Sequence, residues 1–149
     1  MRVACLPAQG GCGHIRVVLI TSGGSGIGLE TAVAFAKAGY AVYASMRDPR
    51  RSARLDEAAA AAGVHVSVIA LGVTEPASVE AATGGLLERE GWLDVPVNNA
   101  GIGELGAVET LPPAQVLAIF ETNVFGALHV LRAVPPTMRC LVLQRRLLP

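Results

Sequence analysis

The sequence predicts a doubly wound, parallel α/β sheet with helices on both faces. Short apolar runs rich in Val and Ile alternate four times with segments whose apolar residues recur every three or four positions, which is the pattern of successive βαβ units. Right-handed crossovers between parallel strands then build one sheet that is covered on both sides. The 149 residues have room for a single domain with a hydrophobic core.

The individual elements follow from apolar patterning and from the residues at their ends. Gly39 and Gly63 each follow a helical segment and predict its end, and Thr74 is a candidate N-cap for the third helix. Alternating apolar and polar residues predict an edge position for the third strand, and Pro96 removes a backbone donor from the fourth, which is expected to be central. The predicted strands cover residues 16–22, 40–46, 64–71 and 92–97, and the predicted helices cover 26–38, 49–62, 74–90 and 112–134.

The stretch TSGGSGIG, residues 21–28, connects the first predicted strand to the first predicted helix. Glycine allows a backbone to approach another group closely because it has no Cβ. A glycine-rich turn that opens a helix aims several N–H groups at one point, where they can bind a phosphate. A dinucleotide is therefore the first ligand hypothesis, and an ordinary glycine-rich turn is the alternative.

Composition argues against several classes of partner. Hydrophobic residues make up 52% of the chain and charged residues 16%, so the chain is expected to be globular. Twelve basic and twelve acidic residues cancel, which excludes the positive field of a typical nucleic-acid-binding protein. No apolar run approaches the roughly 18 residues of a membrane span, and the N-terminus lacks the apolar core of a secretory signal. We therefore expect a cytoplasmic protein without a membrane partner.

The cysteines predict neither a disulfide framework nor a metal site. The chain has three, an odd number that suits a reducing compartment. Cys5, Cys12 and His14 could be read as a metal cluster, but their spacing fits no closed zinc site and a fourth ligand is missing. Residues 1–14 are therefore expected to form a flexible leader, and no metal site is predicted.

Four motifs occur in a characteristic order: TSGGSGIG at 21–28, LGVT at 71–74, NNAG at 98–101 and ETNVFG at 121–126. Together they resemble the short-chain dehydrogenase/reductase family over about residues 16–139. The resemblance implies a Rossmann-like domain that binds NAD(H) or NADP(H). It also implies an oxidoreductase that transfers hydride between the nicotinamide and an alcohol or ketone.

The resemblance assigns the turn of the first motif to cofactor binding, because its backbone meets the pyrophosphate in the family. Ser22 departs from the family, which has glycine there. If the position requires a positive φ, serine costs about 1 kcal/mol or more, unless Gly23 and Gly24 let the turn re-form. The assigned residues of this turn are Thr21, Ser22, Gly23, Gly24, Ser25, Gly26, Ile27 and Gly28.

Two further segments of the chain concern the adenosine half of the cofactor. After the second strand, Asp48 could bind a ribose 2′-hydroxyl, whereas Arg47 could bind a 2′-phosphate. The stretch VYASMRDP resembles NADP-preferring members, so NADP(H) bound through Arg47 is favoured, with NAD possible and a solvated surface arginine as the alternative. Gly72 stands where the family usually has an aspartate that holds the adenine amino group, which leaves the backbone of Val73 to line the adenine site.

The remaining motifs supply a loop and one candidate catalytic residue. The resemblance places Asn99, Ala100 and Gly101 beside the cofactor's ribose, and Asn98 is expected to tie neighbouring strands because buried amides need partners. Asn123 matches the family's helix asparagine that holds a water in the proton relay. A satisfied core amide is an equally good interpretation of Asn123.

The family's Ser and Tyr-x-x-x-Lys set is not found in this sequence. In the family, the lysine lowers the pKa of the tyrosine so that it can act as an acid or base. The only tyrosines are Tyr40 and Tyr43, and the only lysine is Lys37, which precedes both. His129 is the one other candidate acid or base near the long helix, where a helix-surface position is the simpler interpretation.

We therefore predict a truncated member of the family that is limited to cofactor binding. The expected domains are the leader 1–14, a dinucleotide-binding domain 15–139 whose sheet is incomplete at its C-terminal end, and an aberrant tail 140–149. The tail departs from the family as though the reading frame had shifted after Arg139, although CLVL could form a short fifth strand. The alternative is a non-catalytic interaction module that pairs through the exposed sheet edge and the helix from Pro112 to Val134, a surface that could also form a homo-oligomer.

Overall fold

A computed structural model describes residues 15–134 and confirms the predicted fold class. Four parallel strands form one sheet in the order β3-β2-β1-β4. The strands are β1 (Val17–Ile20), β2 (Ala41–Met46), β3 (Ser67–Ala70) and β4 (Val95–Val97). The predicted leader, residues 135–139 and the tail with its possible fifth strand lie outside the described residues.

Five α-helices flank the sheet. They are α1 (Gly26–Lys37), α2 (Ala53–Ala62), α3 (Pro76–Glu90), α4 (Pro113–Phe120) and α5 (Gly126–Ala133). A π-helical turn, Glu121–Phe125, joins α4 to α5, so that the two form one long helix as predicted. Short 3₁₀ turns cover Pro49–Arg51 and Val108–Thr110.

The ends of the helices agree with the sequence except at two N-termini. The helix α2 begins at Ala53, four residues later than predicted, because Pro49 lies in a separate 3₁₀ turn. Gly63 and Gly91 end α2 and α3 in the left-handed conformation, with φ of 65° and 80°, which glycine adopts without a Cβ clash. The prediction of Thr74 as the N-cap of α3 is wrong, because Glu75 holds that position. Pro76 sets the start, since a proline fits the first helical position, where no N–H is required.

The strand order bears on the expectations for β3 and Pro96. As predicted, β3 lies at one edge. Among the described strands β4 lies at the other side, next to β1, and a central position of β4 stays a prediction. The Val97 carbonyl accepts from Thr21 N–H, and alternate residues of a parallel strand face the same neighbour. Pro96 therefore faces away from β1 and removes no β1–β4 hydrogen bond.

The core lies on both faces of the sheet. All four residues of β1 are fully buried, as expected for a central strand covered on both sides. Val18 and Ile20 pack with residues of α1 and α2, whereas Val17 and Leu19 pack with residues of α3 and α5. This double packing fixes β1, and the loop that follows it forms one wall of the site described below.

The long helix presents its apolar stripe to the outside. The large apolar side chains of this helix are mostly exposed, although Ile119 is half-buried. Gly126, Val130 and Val134 are buried against the domain. The exposed stripe consists of Val116, Leu117, Phe120, Val124, Phe125, Leu128 and Leu131.

This helix also corrects the expectation that no segment is long enough to cross a membrane. Residues Pro113–Ala133 form a 21-residue helix with a stretch of mean hydropathy 1.4, of which 11% is buried. By length and composition alone the helix could span a bilayer. The sequence argument missed it because interspersed polar residues such as Gln115 and Asn123 break the continuous apolar run.

The packing between α2 and the sheet can be tested at Leu55, which is fully buried in the α1–α2 core. Leu55→Ala removes buried apolar contacts and leaves a cavity, so we expect the free energy of unfolding to fall by about 2–5 kcal/mol in urea denaturation. The matched control is Leu105→Ala, whose side chain is fully exposed and lies outside the helices and strands, where the change should stay within about 0.5 kcal/mol. Equal losses in the two variants would contradict this assignment of the core.

Candidate functional site

A cavity of about 1060 Å³ opens beyond the carboxyl ends of the strands. This is where ligands bind in open parallel α/β sheets. The cavity brings together the loops that follow all four strands, the start of α2 and one side of the long helix. Its lining residues are Ser22, Gly24, Ser25, Met46, Arg47, Asp48, Arg51, Arg54, Leu71, Val73, Thr74, Ala100, Gly101, Ile102, Ala118 and Thr122.

The residues predicted from sequence occupy three kinds of position. Those that line the cavity are Ser22, Gly24, Ser25, Arg47, Val73, Ala100 and Gly101. Gly26 and Ile27 lie exposed at the start of α1. Thr21, Gly23, Gly28 and Asn99 lie behind the lining residues, where they hold the loops, and Asn123 holds one of those loops from the long helix.

The turn after β1 holds a serine in the left-handed conformation. Ser22 has φ of 56°, so the position does require the left-handed conformation that glycine favours. Gly23 and Gly24 do not take over the left-handed conformation, since the next residue with a positive φ is Gly26. The serine therefore stabilises the turn less than glycine would.

The start of α1 offers backbone donors beside this turn. Ser25 is the N-cap, its side chain makes no capping bond, and its carbonyl accepts from Leu29 N–H at 3.3 Å. The N–H groups of residues 26–28 therefore precede the first hydrogen-bonded turn of the helix. Free N–H groups and the positive end of the helix dipole together favour an anion. Ile27 is 80% exposed at this end, an unusual position for a large apolar side chain.

Thr21 supports the site from behind it. Its side chain is 1% exposed, so it cannot make a direct contact in the cavity. Its hydroxyl oxygen accepts from the N–H groups of Asn99 and Ala100, each at 2.9 Å. The same hydroxyl donates to the Val97 carbonyl at 3.3 Å. One side chain thus ties the end of β1 to the loop that follows β4.

Asn99 completes this tie through its side-chain amide. The amide nitrogen donates to the carbonyls of Thr21 at 3.0 Å and Ser22 at 3.1 Å. The amide reaches them because Gly28 has no side chain: a Cβ there would lie 2.5 Å from the amide nitrogen. The prediction that Asn98 ties the strands is wrong, since Asn98 is exposed and its neighbour makes these bonds.

The electrostatics of the cavity depend on how Asp48 is paired. Arg50 binds the Asp48 carboxylate through two parallel hydrogen bonds of 2.9 and 3.0 Å, and its backbone N–H donates to the same carboxylate. These contacts lower the pKa of Asp48. Arg47, Arg51 and Arg54 remain along the cavity wall. No ion pair involves these three within residues 15–134, so this wall carries excess positive charge.

Arg51 and Arg54 were missed by the sequence analysis. The signal was present in the run PRRSAR after the second strand. The two residues fall three positions apart where a 3₁₀ turn passes into α2, and side chains at this spacing point to one side of a helix. Only the packing of α2 against the sheet shows that this side faces the cavity.

The loop between β3 and α3 forms the far wall and is fixed at two points. Gly72 N–H donates to the Ser78 hydroxyl at 3.0 Å, and His129 Nδ1–H donates to the Val73 carbonyl at 2.9 Å. His129 is half-buried, so the interpretation of this histidine as a helix-surface residue is wrong. It connects the long helix to the cavity wall instead.

Asn123 binds a loop rather than the core. Its carbonyl oxygen accepts from Ile102 N–H at 2.8 Å, and its amide nitrogen donates to the Ile102 carbonyl at 2.9 Å. The side chain is therefore satisfied, as in the structural interpretation, but the residue is exposed and lies in the π-helical turn. This pair of bonds positions the Gly101–Ile102 segment of the cavity wall.

Neither tyrosine lies at this cavity. Tyr40 and Tyr43 instead line a separate depression of about 500 Å³. Burial, followed by its hydrogen bond to Glu90, raises the pKa of Tyr43, whereas a catalytic tyrosine needs a lowered pKa. Among the described residues no group of three His, Cys, Asp or Glu side chains could hold a metal ion.

Comparison with known proteins identifies the family. The short chain dehydrogenase family model matches residues 16–145. Retinol dehydrogenase 8 from Bos taurus is 41% identical over 128 residues, which cover 83% of this chain and 40% of the relative. The chain therefore belongs to the short-chain dehydrogenase/reductase family, an oxidoreductase family, as its motifs indicated.

Solved structures agree with this assignment. A short-chain dehydrogenase from Streptomyces avermitilis is 34% identical with a TM-score of 0.75, covering 84% of this chain and 44% of that one. A metagenomic short-chain oxidoreductase in complex with NADP is 30% identical with a TM-score of 0.75, covering 83% and 56%. These likenesses confirm the Rossmann-like fold, and this chain spans 40–56% of the length of the relative and the two structures named above.

The strain at Ser22 can be measured directly. Ser22→Gly should raise the free energy of unfolding by about 0.5–1 kcal/mol, because relief of the left-handed strain outweighs the added flexibility of the unfolded chain. The matched control is Ser25→Gly, since Ser25 has an extended φ of −161° and glycine there brings only flexibility. Urea denaturation of both variants is the measurement. A loss of stability in Ser22→Gly similar to that in the control would contradict the strain.

Proposed function

We propose that this chain binds NADP(H) in the cavity beyond the strand ends, as the cofactor-binding portion of an oxidoreductase. The observation that carries the proposal is the pairing of charges after β2. Arg50 neutralises Asp48, with a weaker attraction from Arg51, while Arg47, Arg51 and Arg54 form no ion pair among the described residues. A dianionic 2′-phosphate fits this environment, whereas the carboxylate that would accept a 2′-hydroxyl is already occupied.

The residues present fit the rest of the cofactor. The N–H groups at the start of α1 would hold the pyrophosphate, with Ser22, Gly24 and Ser25 against it. Ala100 and Gly101 would lie beside the ribose, in the loop that Asn99 and Thr21 hold. Ile27 would then be covered by the bound cofactor, which would explain why this apolar side chain lies exposed.

The chemistry of the bound cofactor is hydride transfer, for which the family resemblance suggests an alcohol or ketone substrate. Such a reaction also needs a group that moves a proton, and the printed sequence contains no Tyr-x-x-x-Lys pair. We therefore propose cofactor binding without turnover for this chain. The role of Asn123 is to hold the Gly101–Ile102 segment, and a water held by Asn123 in a proton relay stays a prediction.

The long helix supports a second copy of the chain as a partner. Its exposed stripe presents seven large apolar side chains over several turns. Single exposed apolar residues are common on protein surfaces, whereas contiguous apolar patches mark interaction sites. We propose a homodimer through this stripe, in addition to cofactor binding. A pure interaction module is not favoured, because it gives no role to the arginine-lined cavity. A cytoplasmic location also stays a prediction.

The choice of cofactor can be tested at Arg47. Arg47→Gln should raise the Kd for NADPH about tenfold, because a charge-assisted contact to the 2′-phosphate is lost, and should leave the Kd for NADH unchanged. Isothermal titration calorimetry with both nucleotides is the measurement. The matched control is Arg132→Gln, an exposed arginine on α5, which should change neither value. Equal weakening of NADPH and NADH by Arg47→Gln would contradict recognition of the 2′-phosphate.

The proposed dimer can be tested with one charge in the stripe. Phe120→Asp should weaken self-association about tenfold or more in sedimentation velocity, because a buried carboxylate is unfavourable in an apolar interface. The control is Leu105→Asp, a fully exposed residue outside the long helix, which should associate like the unchanged chain. A monomeric unchanged chain at micromolar concentration would contradict the dimer.

A further inference from the structure

We infer that the carboxylate of Glu75 recognises the adenine base of the cofactor, from the position that a side chain at residue 72 would otherwise occupy. The inference rests on the proposed binding of NADP(H). It adds a specificity-determining residue that does not belong to any of the four sequence motifs, since Glu75 directly follows LGVT.

The geometry centres on the bare backbone of Gly72. A Cβ placed on Gly72 would lie 3.5 Å from Glu75 Oε1 and 3.9 Å from Arg47 Cγ. The carboxylate and the arginine stem therefore flank the same point above residue 72. Arg47 lines the cavity at this point, as do Leu71, Val73 and Thr74 on either side of it.

The chemistry of NADP(H) places adenine at this point. The 2′-phosphate is attached to the ribose that carries adenine, so a phosphate held by the arginines brings the base to the adjacent wall, which is formed by Leu71, Val73 and Thr74. The exocyclic amino group of adenine is a hydrogen-bond donor, and an ionised carboxylate is an acceptor only. A bond between them is charge-assisted and is stronger than a neutral one.

Glu75 is available for this contact. Although it is the N-cap residue of α3, its side chain makes no capping bond, and none of the described residues forms an ion pair with it. Its own N–H donates to the Gly72 carbonyl at 3.1 Å, which holds it over the loop that Ser78 and His129 also fix.

The test compares NADPH with its hypoxanthine analogue, in which a carbonyl oxygen replaces the adenine amino group. For the unchanged chain we expect a Kd for NADPH about tenfold lower than for the analogue, because the analogue presents an acceptor to the carboxylate. Glu75→Gln should bring the ratio close to one, since a glutamine amide can both accept and donate. Calorimetric titration gives both constants.

The matched control is Glu80→Gln, an exposed glutamate on the same helix whose loss changes the net charge equally. This variant should keep the tenfold preference. A Glu75→Gln variant that keeps the preference, or that binds NADPH more tightly than the unchanged chain, overturns the inference and leaves cofactor binding intact. An unchanged chain that folds by circular dichroism yet binds neither nucleotide overturns the proposed function, and this inference with it.

Discussion

The candidate site depends on the hydrogen bonds of the Thr21 hydroxyl, which connect the loops after β1 and β4. Buried at the end of β1, this hydroxyl binds two backbone N–H groups of the loop after β4 and the carbonyl of Val97. Because unsatisfied buried donors are costly, the hydroxyl fixes the relative position of the two loops that flank the phosphate-binding turn. The close contact between Gly28 and Asn99 adds a second tie, which holds the strained backbone at Ser22.

The charged residues that follow β2 divide into one ion pair and a group of arginines at the cavity. Arg47 and Asp48 are neighbours in the chain and carry opposite charges. Asp48 forms its ion pair with Arg50 at the surface rather than with Arg47. The arginines at 47, 51 and 54 are left to face one cavity. Exposed ion pairs contribute little to stability, so the importance of this pair lies in which charges it leaves available.

The long helix links the site to the outer surface of the domain. Asn123 binds the backbone of Ile102 from the π-helical turn, and His129 binds the Val73 carbonyl one and a half turns later. The opposite face of the same helix carries the exposed apolar stripe. A partner that binds the exposed stripe would therefore contact the same helix that holds two walls of the cavity, through the hydrogen bonds of Asn123 and His129.

The sequence by itself determined the fold class, the positions of the strands and most of the helices, and the turn after β1. These features depend on local patterns: apolar periodicity, and glycine or proline where a helix ends or begins. The sequence also raised the question of strain at Ser22, because one residue broke a glycine-rich pattern. The few local errors, such as Thr74 in place of Glu75, concern element boundaries, which a local pattern defines poorly.

Only the tertiary structure decided which residues act together. Asn99 rather than Asn98 ties the strands, because only one of the two amides points at β1, and Arg51 and Arg54 reach the cavity because α2 packs against the sheet. Whether Asp48 or Arg47 is available to a ligand depends on the ion pair between Asp48 and Arg50. Such choices arise from contacts between residues distant in the chain or from side-chain direction, which a linear pattern does not encode.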